Sequence, residues 1–159
     1  LIRSRNKAEE AEAAIDAHLT QRYDLIPNLV ETVKGYAKHE SSTLEKVIEA
    51  RNQAVAAKGV AEKDKADNVV TQSLRSLFAL SESYPELKAN QNFIALQESL
   101  NNVERDLLDS RKYYNATARN FNDRIQTFPS NIIASAFHFK KLDYVKADDA
   151  ARTAPKVSF

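Results

Sequence analysis

Imidazole chemistry has three residues to draw on, His18, His39 and His138. His39-Glu40 begins like a zinc-protease motif, but Thr43 stands where the second histidine belongs. That mechanism needs two imidazoles one helical turn apart on the metal, so the motif fails. No glutamate lies three residues before any histidine, and the carboxylate-bundle di-iron pattern is missing as well. The chain has no cysteine, which rules out disulfides, thiolate nucleophiles and thiolate metal sites. With glycine only at positions 35 and 59, there is no phosphate-cradling loop and no nucleophile elbow. The sequence therefore offers no catalytic residue, no metal ligands and no cofactor site, and an enzyme ranks last among its readings. His18, beside an apolar stripe, reads as a packing or boundary residue.

The polar side chains that remain of interest interrupt apolar stripes. Glu104 and Arg111 fall in a gap of one stripe, and Arg51 interrupts another. Three readings stand for this trio. They form a buried ionic layer that fixes helix register, a solvated edge, or the lining of a ligand pocket. A second candidate is the apolar run Ile132, Ile133, Phe137 and Phe139 followed by Lys140 and Lys141. It suits a membrane surface or a partner groove, or else a flap that closes the end of the fold.

The elements that position these residues are helices. Apolar residues recur every three or four positions: Ala8, Ala11, Ile15, Leu19; then Ile26, Leu29, Val33, Tyr36, Ala37; then Leu44, Val47, Ile48, Ala54, Val55. Pro27 sits between the first two runs, where it removes one helical hydrogen bond and crowds the carbonyl of Tyr23. The reading favoured here is a break near Asp24 rather than a kink. Gly59 reads as a helix C-cap. A third helix carries Val70, Leu74, Leu77, Phe78 and Tyr84 and stops at Pro85. A last long helix, from Pro85 to Phe128, places Phe93, Leu100, Leu107, Tyr114, Phe121 and Phe128 seven apart. Its second row slips by one residue, from Leu96 and Val103 to Ala118 and Ile125, which fits a globular bundle better than an extended coiled coil. At roughly 65 Å it would overhang its partners.

The expected fold is all-α: an elongated antiparallel up-and-down bundle of four principal helices with a short C-terminal tail segment. Residues 1–142 make its one domain, and 143–159 form a loose tail. If Pro27 breaks the first helix, four helices bring the tail back toward residue 1; if it only kinks, three helices send the tail the other way.

Composition agrees with one soluble-type core in 159 residues: 43% of the residues are apolar and 28% are charged. Basic and acidic residues number 23 and 22, with no concentrated basic patch, so nucleic acid is not an expected partner. No run approaches the ~18 apolar residues of a membrane helix. The chain has no methionine, even at position 1, so a processed or trimmed product is expected.

Arg22-Tyr23-Asp24-Leu25-Ile26-Pro27-Asn28-Leu29-Val30-Glu31-Thr32-Val33-Lys34-Gly35-Tyr36-Ala37 closely resembles the hallmark of the bacterial LemA family. Tyr84-Pro85-Glu86-Leu87-Lys88-Ala89, Asn92-Phe93, Leu96-Gln97, Arg111, Tyr114-Asn115, Phe121-Asn122, Phe128-Pro129 and Ala154-Pro155-Lys156-Val157-Ser158-Phe159 extend the resemblance over essentially the whole chain. The resemblance implies a membrane-anchored bundle of four principal helices behind a short hydrophobic N-terminal helix. It brings no catalytic residues with it. His138 departs from the pattern, standing where a small residue, usually glycine, is expected.

An anchor upstream of residue 1 would place Arg3, Arg5 and Lys7 at the membrane exit, which favours the cytoplasmic side. The leading expectation is thus a cell-membrane protein with a single N-terminal anchor. It would act as a structural or interaction module that presents helix faces and an apolar tail to envelope or membrane-associated proteins. The alternative is a small-molecule sensor with a pocket between helices. An enclosed pocket lined by Glu104, Arg111 or Arg51 would favour the sensor; a filled interior with exposed Phe137 and Phe139 would favour the module.

Overall fold

The computed structural model describes residues 1–127 and 130–146, and those residues contain helices and no strands. Four helices are long: α1 (Ile2–Lys34), α2 (Ser41–Ala56), α3 (Val60–Ser81) and α5 (Gln91–Gln126). Two are short: α4 (Pro85–Lys88) and α6 (Ser130–Ala136).

Pro27 does not break the first helix. α1 runs through it to Lys34, which corrects the expected break near Asp24. The reason is burial on both sides of the proline. Ile15, Leu19 and Tyr23 before it and Ile26, Leu29, Val30 and Val33 after it all face the core. Each such side chain contributes about 1.5–3 kcal/mol, which together outweigh the ~3 kcal/mol a proline costs inside a helix. The chain reverses later, at 35–40, where the amides of Tyr36 and Ala37 both donate to the Val33 carbonyl and Ala37 tucks under the core. The apolar stripe continues through this turn, so its periodicity alone conceals the reversal.

Gly59 is not a C-cap either. α2 ends at Ala56, and Gly59 is the N-cap of α3, with φ 83° and ψ 153°. That region of backbone space is accessible essentially to glycine alone. The last long helix also starts later than expected. Pro85 opens the four-residue α4, and Asn90 then caps α5 by accepting from the Phe93 amide at 3.0 Å. With 36 and 33 residues, α5 and α1 are about 54 and 50 Å long, so the anticipated overhang disappears.

These two helices pair along their length. The Asn92 amide donates to Thr32 at 2.8 Å, Arg22 lies 3.2 Å from Glu104, and the Arg5 guanidinium sits 5.1 Å from the Phe139 ring centre just past α6. Residue numbers rise on α1 as they fall on α5, so the pair is antiparallel. Phe93, Leu100, Leu107, Tyr114 and Phe121 are all buried along the seam; Phe128 and Pro129 lie outside the described residues. The tail returns to the N-terminal end of α1 even though Pro27 leaves that helix whole, because the turn at 35–40 supplies the missing reversal.

Candidate functional site

The core of the bundle contains a charged layer. Asp67, from α3, is fully buried, and three side chains donate to its carboxylate. Arg22 Nη1 from α1 reaches Oδ2 at 2.9 Å, Arg111 Nη2 from α5 reaches Oδ2 at 2.6 Å, and the Tyr23 hydroxyl reaches Oδ1 at 2.8 Å. Arg22 Nη1 also lies 3.2 Å from Glu104 Oε2, and Arg111 Nε 3.2 Å from Asp64 Oδ1. Both guanidinium groups are 1% exposed, so the layer is a desolvated network rather than a surface pair. Burial opposes the charge on Arg22, but the carboxylates of Asp67 and Glu104 more than offset it and hold the group protonated above its ordinary range. Burial and the neighbouring Asp67 carboxylate push the Tyr23 phenol far above its usual value.

Helix periodicity explains the convergence. Arg22 continues the buried stripe of α1, and Asp67 precedes Val70, Thr71 and Leu74 on the buried face of α3. Of the trio singled out in the sequence, Glu104 and Arg111 sit in this layer and Arg51 does not. Arg51 is half-buried on α2, where its Nε donates to the Tyr23 backbone carbonyl at 3.2 Å. Asp64 and Asp67 were not singled out in the sequence, and Arg22 and Tyr23 stood there only in the hallmark stretch, not as site candidates. The signal available for Arg22 and Asp67 was the same one, a charge standing in an apolar register.

The layer does not surround a pocket. The cavity beside Arg111 and Asp64 amounts to about 10 Å³, room for at most one water. The larger spaces are grooves open to solvent. One of about 400 Å³ between α2 and α3 is lined by Lys46, Glu49, Gln53, Gln72 and Ser76. Another of about 270 Å³ is bordered by Arg51, Tyr23, Asp16 and Lys63, the last two already paired at 3.1 Å. Among the described residues no group of three or more histidine, cysteine or acidic side chains is placed to hold a metal.

The tail is tied to this core. Asn115 and Asn122, seven residues apart on α5, each clamp one tail residue with a donor and an acceptor. Asn115 exchanges bonds of 2.8 and 2.9 Å with the Val145 backbone, and Asn122 bonds of 3.1 and 2.8 Å with Leu142. The Tyr114 hydroxyl donates to the Asp143 carbonyl at 3.0 Å, and the Lys146 amide donates to Asp64, which also faces Arg111. Residues 142–146 are irregular backbone pinned to α5, and the rest of the expected loose tail, 147–159, lies outside the described residues.

Before the clamp, α6 ends in a Schellman turn: His138 N–H bonds to the Ser135 carbonyl and Phe139 N–H to that of Ala134. His138 takes φ 57°, the left-handed conformation such a turn requires. The turn swings Phe139 back against Phe121, at 5.8 Å between ring centres, and under Arg5. It leaves Phe137 outside, 70% exposed, beside exposed Ile132 and Ile133, with exposed Lys140 and Lys141 following. Of the six residues marked as a contact patch, then, only Phe139 turns inward.

A sequence model of the LemA family matches residues 11–159. The chain is 24% identical to Protein LemA of Metamycoplasma hominis, over 96% of this chain and 70% of that protein. It is also 30% identical to the magnetosome proteins MamQ 1 and MamQ 2 of Paramagnetospirillum magneticum, over 55% of this chain. The matched stretch covers 32% of each of those two, about a third of their length.

Proposed function

The chain belongs to the LemA family, and from that membership we propose that it is a structural and interaction module of the bacterial envelope, held at the cell membrane by an N-terminal anchor; the basic residues Arg3, Arg5 and Lys7 favour the cytoplasmic side for this domain. In this reading the four long helices form an up-and-down antiparallel bundle that presents its helix faces and apolar tail to membrane-associated proteins. The observation that carries it is the filled interior. Asp67, at 0% exposure, ties α1, α3 and α5 together, and the cavity beside this layer is about 10 Å³. A layer of this kind serves register and rigidity, since desolvated charges tolerate one geometry. No helix among the described residues is long and apolar enough to cross a membrane, so the proposed anchor is a separate segment.

The test is crosslinking and pull-down of the full-length, membrane-inserted protein. Recovery of the same membrane-associated proteins in repeat captures, lost when exposed residues of one helix face are changed, supports the module. Recovery of no protein above an unrelated anchored control would end it. A sensor of small molecules has the groove beside Arg51 in its favour. That reading needs a ligand that raises the melting temperature of the wild type and not of Arg51→Ala.

A further inference from the structure

At the end of the molecule where α1 begins, apolar side chains stand outside the fold among basic ones. Phe137, Ile132 and Ile133 project from α6 at 70%, 60% and 50% exposure, while Ala134 is the residue of that helix that packs inward. Ile2, at 63% exposure, lies on α1 less than one turn before Arg5, whose guanidinium stacks on Phe139. The short helix α6 and its C-cap therefore carry three large, half or more exposed apolar side chains together, where a lone exposed residue would be unremarkable.

The charge at this end is lopsided. Residues 1–10 and 121–141 carry six basic side chains (Arg3, Arg5, Lys7, Arg124, Lys140, Lys141) against three acidic ones, Glu9, Glu10 and Asp123. The whole chain is nearly balanced, with 23 basic and 22 acidic residues. Apolar side chains ringed by lysine and arginine complement an anionic lipid surface. The former enter the acyl boundary and the latter meet the phosphates.

We infer that this end is a membrane-docking face, with Phe137, Ile132 and Ile133 as the inserting residues and Lys140, Lys141 and Arg3 as the headgroup contacts. The Schellman turn at His138 is what builds it, since it packs Phe139 against Phe121 while Phe137, its ring 6.3 Å from that of Phe139, stays 70% exposed. The face rests on the envelope-module reading and narrows it by assigning the apolar tail to lipid rather than to a protein groove.

The test is sedimentation of the 159-residue chain with phosphatidylcholine vesicles that contain or lack phosphatidylserine. The expected result is binding to the serine-lipid vesicles that weakens in high salt. Phe137→Asp should lower the affinity about tenfold or more, and Lys140→Ala and Lys141→Ala about fivefold each. Val55→Asp, which alters an exposed apolar residue of α2, should bind as wild type does. Because Phe137 is 70% exposed, its replacement leaves folding intact, which circular dichroism checks. Wild-type protein that stays in the supernatant, or Phe137→Asp that binds equally well, overturns the inference. So does a dimer dissolved by Phe137→Asp without any vesicle binding, which would make the face a contact between copies. Because crosslinking to proteins is a separate readout, the module and the docking face fail independently.

Discussion

Arg51 on α2 donates through Nε, at 3.2 Å, to the carbonyl oxygen of Tyr23, the acceptor that Pro27 strips of its helical N–H four residues later. The proline leaves an orphan carbonyl inside a helix, and a side chain from the neighbouring helix supplies the missing donor. This accounts both for a helix that passes through proline and for an arginine that interrupts an apolar stripe.

The pairing predicts non-additive stabilities. Arg51→Ala should cost about 1 kcal/mol in the native background, because a partly buried carbonyl loses its donor. Pro27→Ala should stabilise by about 1 kcal/mol or more, since alanine restores the amide and relieves the crowding. In the Pro27→Ala background the cost of Arg51→Ala should fall to about half. A double-mutant cycle by urea denaturation measures the coupling, and strict additivity would show that the two residues act separately.

Asp67→Ala strands Arg22 and Arg111 as buried charges without their shared carboxylate. A loss of about 3–5 kcal/mol is expected, enough to unfold a domain of ordinary stability. Replacing Arg22, Asp67, Glu104 and Arg111 together with leucine or methionine should recover most of it, because no fully buried charge remains and Asp64, 11% exposed, still accepts from the Lys146 amide. Chemical denaturation of both variants checks this, and a quadruple variant as unstable as Asp67→Ala would assign the network a larger net contribution than register.

His138 adopts a backbone conformation that costs a non-glycine residue about 1–2 kcal/mol. His138→Gly removes that strain but adds freedom to the unfolded chain, so a net gain of about 0.5–1 kcal/mol is expected. His138→Val should lose more than 1 kcal/mol, because a β-branched side chain is a genuine outlier there. Thermal denaturation of the pair decides the point. Amide exchange at Phe139, whose N–H closes the turn, should slow in the glycine variant and quicken in the valine one.

Burial pushes the Tyr114 phenol up to about 12 from an ordinary value of 10.0. Below pH 10 both folded and unfolded states hold the neutral phenol, and its contribution to stability is complete. Between pH 10 and about 12 the unfolded chain ionises while the folded one does not, so stability is lost across that window. Tyr114→Phe should give a shallower decline of denaturation midpoint there, and an unchanged profile would place the alkaline sensitivity on other groups.

Helix propensity and apolar spacing were legible without coordinates. The stripes Ala8–Leu19, Val70–Phe78 and Phe93–Phe121 all proved to be buried faces, because period 3.6 is imposed by local geometry. Boundaries were not legible where a local rule and burial competed. Pro27 argues locally for a break, and only the packing of residues on both sides of it shows why the helix continues. The stripe through Gly35, Tyr36 and Ala37 argues locally for continuity, yet the chain turns there. Gly59 was recognisable as a glycine position, but whether it ends one helix or opens the next depends on where α2 stops.

Amino-acid types and spacing alone determined that this chain is helical and that its seam is aliphatic and aromatic. Those properties are local, fixed by side-chain chemistry and by which residues share a helix face. The tertiary structure decided that Arg22, Asp67, Glu104 and Arg111 form one network, that Arg51 serves Pro27 instead, and that Phe139 packs on Phe121 while neighbouring Phe137 stays exposed. Each of these joins residues far apart in the chain, and whether a charge in a stripe is paired or solvated depends on what the opposing helix brings to the same level.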